Sequence, residues 1–356
     1  MDGAKEKRNG TYGDALFMAG VGLALLFSAL LLQTAARRMP EMAEAYAVGV
    51  YPWLVKLYGG YCGLFPVSAS EMGLYLLLFL AAAGLVRLLR ARRLELAAGA
   101  AVLTAGILGL AYVLGCGINY YRQPFSSYLE LEMRESSPEE LRELCVWLTR
   151  QVCASENHDA YSREWEGEGQ KAMEALGETY PQLAGSYPRP KGLAGSWILS
   201  VQQLSGVYSP FTVEANYNRD MTDYNIPHTI CHELSHLKGF MREDEANFIG
   251  YLACIRSEHP AFRYSGYLTG WIYACNALAA EDPETYSQLR QQLSPAVQQQ
   301  LQENNAFWDR YEGKAAEAAS RINDSYLKFH QQKEGVKSYG RMVDLMLAYY
   351  RQETGG

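Results

Sequence analysis

One histidine-containing stretch of the sequence has the residue types and spacing of a zinc site. His232, Glu233 and His236 form an H-E-x-x-H pattern. Residues four apart lie on one face of a helix, so the two imidazole nitrogens can converge on one Zn²⁺. Glu233 can then take a proton from a zinc-bound water, whose pKa the metal lowers to about 7. The pattern predicts a hydrolytic zinc centre on a helix with Pro227 in its first turn and a stop at Gly239.

A catalytic zinc site needs a third protein ligand and leaves one position open. The sequence follows the metzincin pattern through Gly239, but the last position of that pattern is Arg242, whose permanent positive charge prevents zinc binding. Glu243 is the predicted third ligand. Asn247, four residues later, is predicted to support a ligand histidine through a hydrogen bond. Glu245 is the alternative ligand.

Three apolar stretches in the first 120 residues are predicted to span a membrane. They cover residues 15–36, 72–89 and 96–118, and a crossing needs about 20 residues. The second has the shortest apolar run, which the arginines that follow it extend by snorkelling; a buried core helix is the alternative for this stretch. A cleaved signal peptide ending near Ala35 and Ala36 is the rival interpretation of the first stretch. The two later spans favour a membrane anchor.

Basic residues predict the orientation of these spans. The N-terminal tail carries Lys5, Lys7 and Arg8, and the turn between the second and third stretches carries four arginines. Both segments are therefore predicted to lie in the cytoplasm. Residues 1–120 then form a membrane domain and residues 121–356 an extracytoplasmic domain, so that the zinc motif faces outward.

The run after the motif, EDEANF, resembles the second-helix motif of gluzincins, in which a Glu binds the metal and an Asn or Asp supports a histidine. With the three spans, the run GVYSPFTVEANYN and the motif HELSH, the chain is similar to a bacterial membrane-protein family of unknown function that carries a gluzincin-like zinc-peptidase core. The resemblance implies a zincin-like fold, a zinc ion and a location in the bacterial plasma membrane, but no substrate. Only six residues separate His236 from Glu243, so a sharp turn is expected at Lys238 and Gly239.

The fold class that we predict is mainly α with a small β element: three transmembrane helices followed by a zincin-like α+β soluble domain. Residues 267–280 form an apolar run whose length favours a core helix over a fourth span. Residues 196–218 are typical of extended structure. In zincin folds an edge strand beside the active-site helix pairs with the substrate, and this segment is the candidate for it. A buried hairpin without a ligand contact is the alternative.

Net charge and cysteine content argue against several other classes of protein. The net charge is −7; the first 120 residues contain ten Lys and Arg against seven Asp and Glu, so the remainder is strongly acidic. An acidic soluble part argues against nucleic acid as a partner. The seven cysteines include no C-x-x-C pair, so they predict neither a disulfide framework nor a structural zinc site. We expect them to be small buried residues.

The predicted function is a membrane-anchored zinc metallopeptidase, a hydrolase whose partners are a peptide or protein substrate and the lipid bilayer. Zn²⁺ would be bound by His232, His236 and Glu243, with Glu233 as the catalytic base. The first alternative is a non-catalytic zinc-binding sensor or scaffold, in which His228 or Glu245 completes a closed shell of four ligands. The second is a metal-free helical membrane protein.

Two assignments are left open by the sequence. His228, one turn before His232, is expected to cap the helix or to face solvent rather than to bind metal. A hydrolase also needs a group that stabilises negative charge on the substrate oxygen. Tyr264, Tyr267 and Arg263 follow at plausible spacing, but none of them is distinguished from the other tyrosines and arginines.

Overall fold

The chain folds into helices and one small sheet. The structure, a computed structural model, describes residues 2–91, 93–156, 164–329 and 339–355. Its strands are β1 (Lys191–Gly192), β2 (Gly206–Ser209) and β3 (Glu214–Tyr217), in the order β1-β3-β2. Strand β3 pairs with β1 in parallel and with β2 in antiparallel orientation. The predicted architecture, mainly helical with a small β element, is confirmed at this level.

The helices are numbered along the chain as follows: α1 Asp2–Arg38, α2 Pro40–Gly49, α3 Tyr51–Leu54, α4 Gly60–Gly63, α5 Ala69–Arg90, α6 Leu94–Tyr112, α7 Pro138–Ser155, α8 Trp165–Thr179, α9 Ser196–Val201, α10 Asn225–Leu237, α11 Glu243–Ile255, α12 Pro260–Glu281, α13 Pro283–Gln292, α14 Pro295–Asp309, α15 Lys314–Phe329 and α16 Tyr339–Thr354. Two π-helical turns cover Val55–Gly59 and Val113–Gly117, and 3₁₀ turns cover Ile118–Tyr121, Phe125–Tyr128 and Pro181–Leu183.

The prediction of extended structure for residues 196–218 was wrong for the first part of the segment. That part is helix α9, and only β2 and β3 are extended. The strand preference of Val, Ile and Trp is weak and depends on packing. Here a helical turn buries Leu199 and lets the Ser200 hydroxyl donate to the Ser196 carbonyl oxygen. The second part of the segment forms an antiparallel hairpin.

Three helices near the N-terminus are long and apolar enough to cross a membrane. They cover Tyr12–Arg38, Ala69–Arg90 and Leu94–Tyr121, and each extends slightly beyond the corresponding predicted stretch at both ends. Helices of this length and composition indicate association with a membrane. The apolar run 267–280 lies instead in α12, a largely buried core helix, as predicted.

Helices α1 and α6 pack side by side through small residues. Gly99 lies against Ala15, and Gly106 lies against Gly22 so closely that a Cβ atom at Gly106 would overlap the Gly22 carbonyl oxygen. Small residues permit this backbone approach, which is common between membrane helices. Because the numbers of the contacting residues rise together, the two helices run parallel, and α5 must return the chain between them.

The C-terminal end of the third apolar helix contacts the hairpin of β2 and β3. There, the π-helical turn Val113–Gly117 departs from regular α-helical hydrogen bonding. The Tyr208 hydroxyl donates to the Gly115 carbonyl oxygen at 3.0 Å, and it also lies 2.8 Å from the Tyr51 hydroxyl. Pro210, in the turn between the strands, lies directly against Gly115. The tip of the hairpin is therefore held at the end of this helix.

A buried ion pair joins the sheet to the N-terminal end of α5. The Glu214 carboxylate, 1% exposed, accepts hydrogen bonds from the N–H groups of Ala69 and Ser70 at 3.1 and 2.8 Å. Lys191 Nζ lies 2.6 Å from Glu214 Oε1 and also donates to the Cys62 carbonyl oxygen. A carboxylate in this position satisfies unpaired N–H groups and complements the helix dipole. The sheet is thus fixed against the end of the second apolar helix.

Replacing Lys191 by Met is expected to lower the free energy of unfolding by about 3–5 kcal/mol, because the Glu214 carboxylate would remain buried without its cation. Unfolding of the full chain in detergent micelles measures this. Lys171→Met is the matched control, since the Lys171–Glu168 pair is on the surface, where ion pairs contribute little. Equal losses in the two variants would contradict the anchoring role of Lys191.

The buried core lies mainly after residue 121, around α10, α11 and α12. Helices α10 and α11 pack against each other. Helices α8 and α12 contact both of them, α16 contacts α11, and α7 packs on α12. All seven cysteines are free thiols; six are buried, as expected, and Cys153 is exposed. The division into two domains at residue 120 stays a prediction.

Candidate metal centre

Helix α10 carries both histidines of the H-E-x-x-H pattern on one face. It begins at Asn225, so that Pro227 lies in its first turn, and it ends at Leu237. The helix runs through the core, and most of its side chains are buried. The rings of His232 and His236, one turn apart, meet edge to face with their centroids 4.6 Å apart. Both imidazoles therefore project towards the same place.

A sharp turn brings the next helix back to the histidines. Gly239 has a φ of 87°, a left-handed conformation that glycine adopts without strain. Its N–H donates to the His236 carbonyl oxygen at 2.8 Å, and the Phe240 N–H donates to the Ser235 carbonyl oxygen at 3.2 Å. This pair of bonds closes α10 in a Schellman arrangement. The turn expected at Gly239 is present, and α11 begins four residues later with Glu243.

Three possible metal ligands meet where α10 and α11 approach each other. His232 Nε2 lies 3.4 Å from Glu243 Oε2, and His236 Nε2 lies 3.7 Å from Glu243 Oε1. One ligand atom from each residue can be chosen so that all three lie within 4.8 Å of one another. For zinc–ligand bonds of about 2.0–2.1 Å in a tetrahedral site, ligand atoms are separated by roughly 3.3 Å. Both the donor set and the spacing fit a zinc ion.

The second ring nitrogen of each histidine has a protein acceptor. His232 Nδ1 donates to Asn247 Oδ1 at 2.9 Å, and His236 Nδ1 donates to the Phe240 carbonyl oxygen at 2.8 Å. A proton on Nδ1 leaves the lone pair of Nε2 available for a metal, and the hydrogen bond fixes the ring orientation. Asn247 thus has the contact that the sequence predicts for it.

Replacing Asn247 by Ala is expected to weaken Zn²⁺ binding roughly 10–100-fold, because His232 loses the acceptor that orients its ring. Competition with a chromogenic chelator measures the affinity. Asn247→Asp is the matched control, since it keeps an oxygen at the same position and should bind zinc as the wild type does. If both variants lost the same affinity, the hydrogen bond to His232 would not be the reason.

Glu233 lies beside the three donors with its carboxylate buried. Its Oε1 is 4.0 Å from His232 Nε2, and its Oε2 has no hydrogen-bond partner within the part of the chain that the structure describes. Burial raises the pKa of Glu233 to about 8, because the charged form loses hydration. A buried carboxylate oxygen without a partner is costly. A divalent cation at the neighbouring donors would offset this cost, which is a second observation that fits a metal.

The protonation states of His236 and Glu243 suit metal binding. Burial lowers the pKa of His236 to about 4. Burial acts in the same direction on His232, but the hydrogen bond to Glu243 and the charges of Glu233 and Glu243 outweigh it and raise its pKa. Burial disfavours the charged form of Glu243, but the two histidines outweigh it and hold its pKa at about 2. Glu243 is therefore ionised at neutral pH, and His236 is neutral, as metal ligands must be.

The two alternative ligands are engaged elsewhere. Among the described residues, neither Glu245 nor His228 belongs to the group that could hold a metal. Glu245 is buried, with its Oε1 3.4 Å from Arg242 Nη1, and burial raises its pKa to about 7. One expectation for His228 was that it faces solvent, but the residue is buried. Its Nε2 donates to the Asn247 carbonyl oxygen at 3.1 Å, and burial lowers its pKa to about 3.

A cleft of about 420 Å³ leads to the donors. One wall consists of β2 and the residues directly before it, and another consists of the end of the third apolar helix. The lining residues are Tyr112, Cys116, Tyr120, Gln203, Leu204, Ser205, Gly206, Val207, Tyr208, Pro210, Phe211, His232, Glu233, His236, Met241, Glu243, Asn247 and Tyr273.

Tyr273 of α12 is the candidate functional residue that the sequence reasoning missed. It is half-buried and lines the cleft with the metal-site residues. Burial and, to a smaller extent, the Glu243 charge raise its pKa. The earlier candidates lie elsewhere: Tyr264 donates to Gln300, and Tyr267 packs its ring on Trp147. With 26 tyrosines in the chain, only the crossing of α12 over α10 and α11, which is a tertiary feature, distinguishes Tyr273.

Comparison with known proteins identifies a family of unknown function. Residues 46–347 match the family model described as "Protein of unknown function (DUF3810)". The matched range contains Glu233, all three possible metal ligands and the second and third apolar helices. No curated protein and no solved structure matches the chain.

Proposed function

The chain belongs to the DUF3810 family of proteins of unknown function, and we propose that it is a membrane-anchored zinc metallopeptidase that hydrolyses peptide bonds. The observation that carries the proposal is the convergence of His232, His236 and Glu243 beside the buried carboxylate of Glu233, at the end of a cleft. Three protein donors with a position left for water are typical of catalytic zinc, whereas structural zinc has four.

The residues around the donors have complementary roles. Zn²⁺ at this site would polarise the substrate carbonyl and lower the pKa of a water molecule to about 7. Glu233 is the proposed general base: a cation at the three donors would favour its ionised form, which can accept the proton of the attacking water and return it to the leaving amine. Its burial excludes competing solvent, and its Oε2, which has no hydrogen-bond partner among the described residues, can accept a water proton. Asn247 and the Phe240 carbonyl hold the histidine rings during these steps.

Tyr273 is proposed to donate a hydrogen bond to the substrate oxygen as negative charge develops on it. Because its raised pKa keeps the phenol protonated, the hydroxyl can serve as a donor. Tyr273→Phe is expected to lower kcat about 10²-fold with little change in KM, measured on a peptide substrate. Tyr267→Phe, which removes a hydroxyl from the same helix outside the cleft, is the control. An unchanged kcat in Tyr273→Phe would exclude this role.

The fold around the site supports a zincin-like interpretation of the gluzincin type. Helix α10 supplies two histidines and the base, and α11 supplies the carboxylate, which is the order that the sequence resemblance implies. Strand β2 lies at the edge of the sheet and lines the cleft. The proposal is thus consistent with an edge strand beside the active-site helix.

We infer a multi-pass location in the bacterial plasma membrane, with the site on the extracytoplasmic side. The parallel packing of α1 and α6 fits three crossings, with the N-terminal tail and the metal site on opposite faces. Arg87, Arg90 and Arg93 lie at the turn between α5 and α6, and basic residues favour the cytoplasmic face. The contacts of Glu214 with the other end of α5 then belong to the outer face.

A direct experiment separates the peptidase from a non-catalytic zinc protein. The full chain, loaded with zinc in detergent micelles, is incubated with a pool of mixed-sequence peptides, and new termini are identified by mass spectrometry. Hydrolysis that a chelator abolishes and added Zn²⁺ restores is the expected result. Tight zinc binding without hydrolysis, insensitive to hydroxamates, would instead favour the sensor or scaffold.

A further inference from the structure

The cleft extends from the metal site to the level of the membrane. About 20 helical residues cross the hydrocarbon core, so a crossing that starts at Leu94 reaches its far boundary near Gly115. Tyr112 and Cys116, on either side of that position, line the cleft. Pro210 lies against Gly115, and the next residue, Phe211, lines the cleft and is 43% exposed. The membrane end of the cleft therefore has an apolar rim.

A second apolar surface lies at the same depth as the membrane end of the cleft. From α3 to the residue after α4 the chain has two faces: a buried one, which includes Val55 and Gly59, and an exposed one. Gly59 packs against the backbone of Val213, in the turn of the same hairpin. The exposed face carries large apolar side chains three or four residues apart, at Trp53, Leu57, Tyr61 and Leu64. A helical segment with such a face lies in the interface of a bilayer.

Strand β2 connects the metal site to this boundary. It begins at Gly206, where a Cβ atom would overlap the Glu233 carboxylate, and its last residue, Ser209, adjoins the hairpin turn at Gly115. The distance along the strand is about 10 Å, at about 3.3 Å per residue. One edge of β2 is occupied by β3, and within the described residues no strand pairs with the other edge.

The pairing pattern shows which backbone groups face the free edge. The Asn218 N–H donates to the Ser205 carbonyl oxygen at 2.8 Å, directly before the first pair of the ladder. Along an antiparallel strand, successive residues direct their N–H and C=O groups alternately towards the paired strand and away from it. The N–H and C=O groups of Gly206 and Tyr208 therefore point away from β3, towards the cleft. An extended polypeptide could add to the sheet there.

We propose that the substrate is the extended segment directly outside the transmembrane helix of a membrane-anchored polypeptide, cleaved within about four to eight residues of the hydrocarbon boundary. The inference rests on the proposed peptidase function and adds its substrate class. A helix in the bilayer beside α6 would deliver the segment past Tyr112 and Phe211, and β2 would guide it to Glu233. A cleft whose rim is apolar and lies at the membrane favours this occupant over a soluble peptide.

The direction of β2 also sets the polarity of the substrate. The strand runs from the metal site towards the membrane, and antiparallel pairing is the more stable arrangement. A substrate paired in this way runs from the membrane towards the metal site. Its membrane anchor is therefore on the N-terminal side of the cleaved bond, and cleavage releases the C-terminal part into the extracytoplasmic space.

The test uses the full, zinc-loaded chain reconstituted in vesicles of neutral phospholipid. The probe is an apolar helix of about 20 residues followed by a long unstructured tail of mixed sequence; the comparison is the same tail without the helix. Tethering raises the effective concentration to the millimolar range, so at micromolar substrate the anchored tail should be cut at least about 10²-fold faster. Mass spectrometry should place the cuts within the first few residues of the tail.

Three outcomes would overturn the inference in distinguishable ways. Equal, Glu233-dependent cleavage of the anchored and soluble tails, or cuts spread along the tail, would leave the peptidase function intact and exclude the membrane-proximal substrate. Faster cleavage of a probe anchored at its C-terminal end would exclude the antiparallel pairing with β2. No cleavage of any probe by the zinc-loaded chain would overturn the proposed function itself.

A pair of variants tests the apolar rim. Phe211→Ser should slow cleavage of the anchored tail about tenfold, because it replaces the exposed ring at the membrane end of the cleft with a polar group. Ile322→Ser is the matched control, since Ile322 is an exposed apolar residue of α15 outside the cleft. Equal rates for Phe211→Ser and the wild type would overturn the role of the rim.

Discussion

Replacing Glu233 by Gln is expected to leave zinc binding intact and to lower kcat by up to about 10⁴-fold, the range found when a general base is removed. The amide has nearly the shape of the carboxylate, so the walls of the cleft and the neighbouring Gly206 should not move. It cannot accept a proton from water, however, and so cannot generate the nucleophile. Zinc content by atomic spectroscopy and peptide hydrolysis, measured on the same preparation, give both quantities.

Glu245→Gln is the matched control for this variant. Glu245 is also buried near the site, but its carboxylate contacts Arg242 and lies outside the metal group. Its replacement should therefore keep both zinc and turnover. Retained hydrolysis in Glu233→Gln would exclude Glu233 as the base, and loss of zinc from that variant would mean that the carboxylate binds the metal directly.

Replacing Glu243 by Ala is expected to abolish hydrolysis and to weaken zinc binding by more than the roughly 10–100-fold typical of residues that only support a ligand. The change removes the carboxylate that lies within 3.7 Å of both histidine Nε2 atoms. Two imidazoles remain, which is one protein donor fewer than catalytic zinc sites use. Affinity measured by chelator competition, with thermal unfolding as a check on folding, tests this expectation.

Glu245→Ala distinguishes the two acidic residues at the start of α11. Sequence spacing alone left both as possible ligands, and the geometry favours Glu243. Glu245→Ala should therefore keep zinc, although it leaves Arg242 without its carboxylate partner and can lower stability. Loss of zinc from Glu245→Ala but not from Glu243→Ala would reverse the assignment of the third ligand.

The cluster of three possible metal ligands could be predicted from the sequence because its spacing is local. His232 and His236 are one helical turn apart, and Gly239 allows the turn that brings Glu243 back to them. The contact between Asn247 and His232 follows from the same short segment. Similarly, an apolar run of about 20 residues forms a helix when every backbone group must be hydrogen-bonded within the run. The bounds of the three apolar helices were therefore predicted to within a few residues.

Features that depend on distant parts of the chain could not be predicted. The helix α9 replaced an expected strand because packing outweighs the weak strand preference of its residues. Tyr273 joins the cleft only because α12 crosses the two site helices. No local pattern relates Pro210 to Gly115 or Glu214 to Ala69, since each pair is separated by more than 90 residues. The position of the cleft relative to the apolar helices follows from these contacts.

The small sheet is held by contacts with two apolar helices. These contacts limit how far the chain can be shortened without loss of structure. A fragment starting at residue 121 would lack Gly115, the partner of the Tyr208 hydroxyl, and the N–H groups of α5 that Glu214 binds. It would also lose the wall of the cleft that Tyr112 and Cys116 form. We expect such a fragment to be unstable and poorly soluble, with the candidate metal site exposed on one side. The apolar helices would then be a structural part of the proposed active site, and the site could not be separated from them.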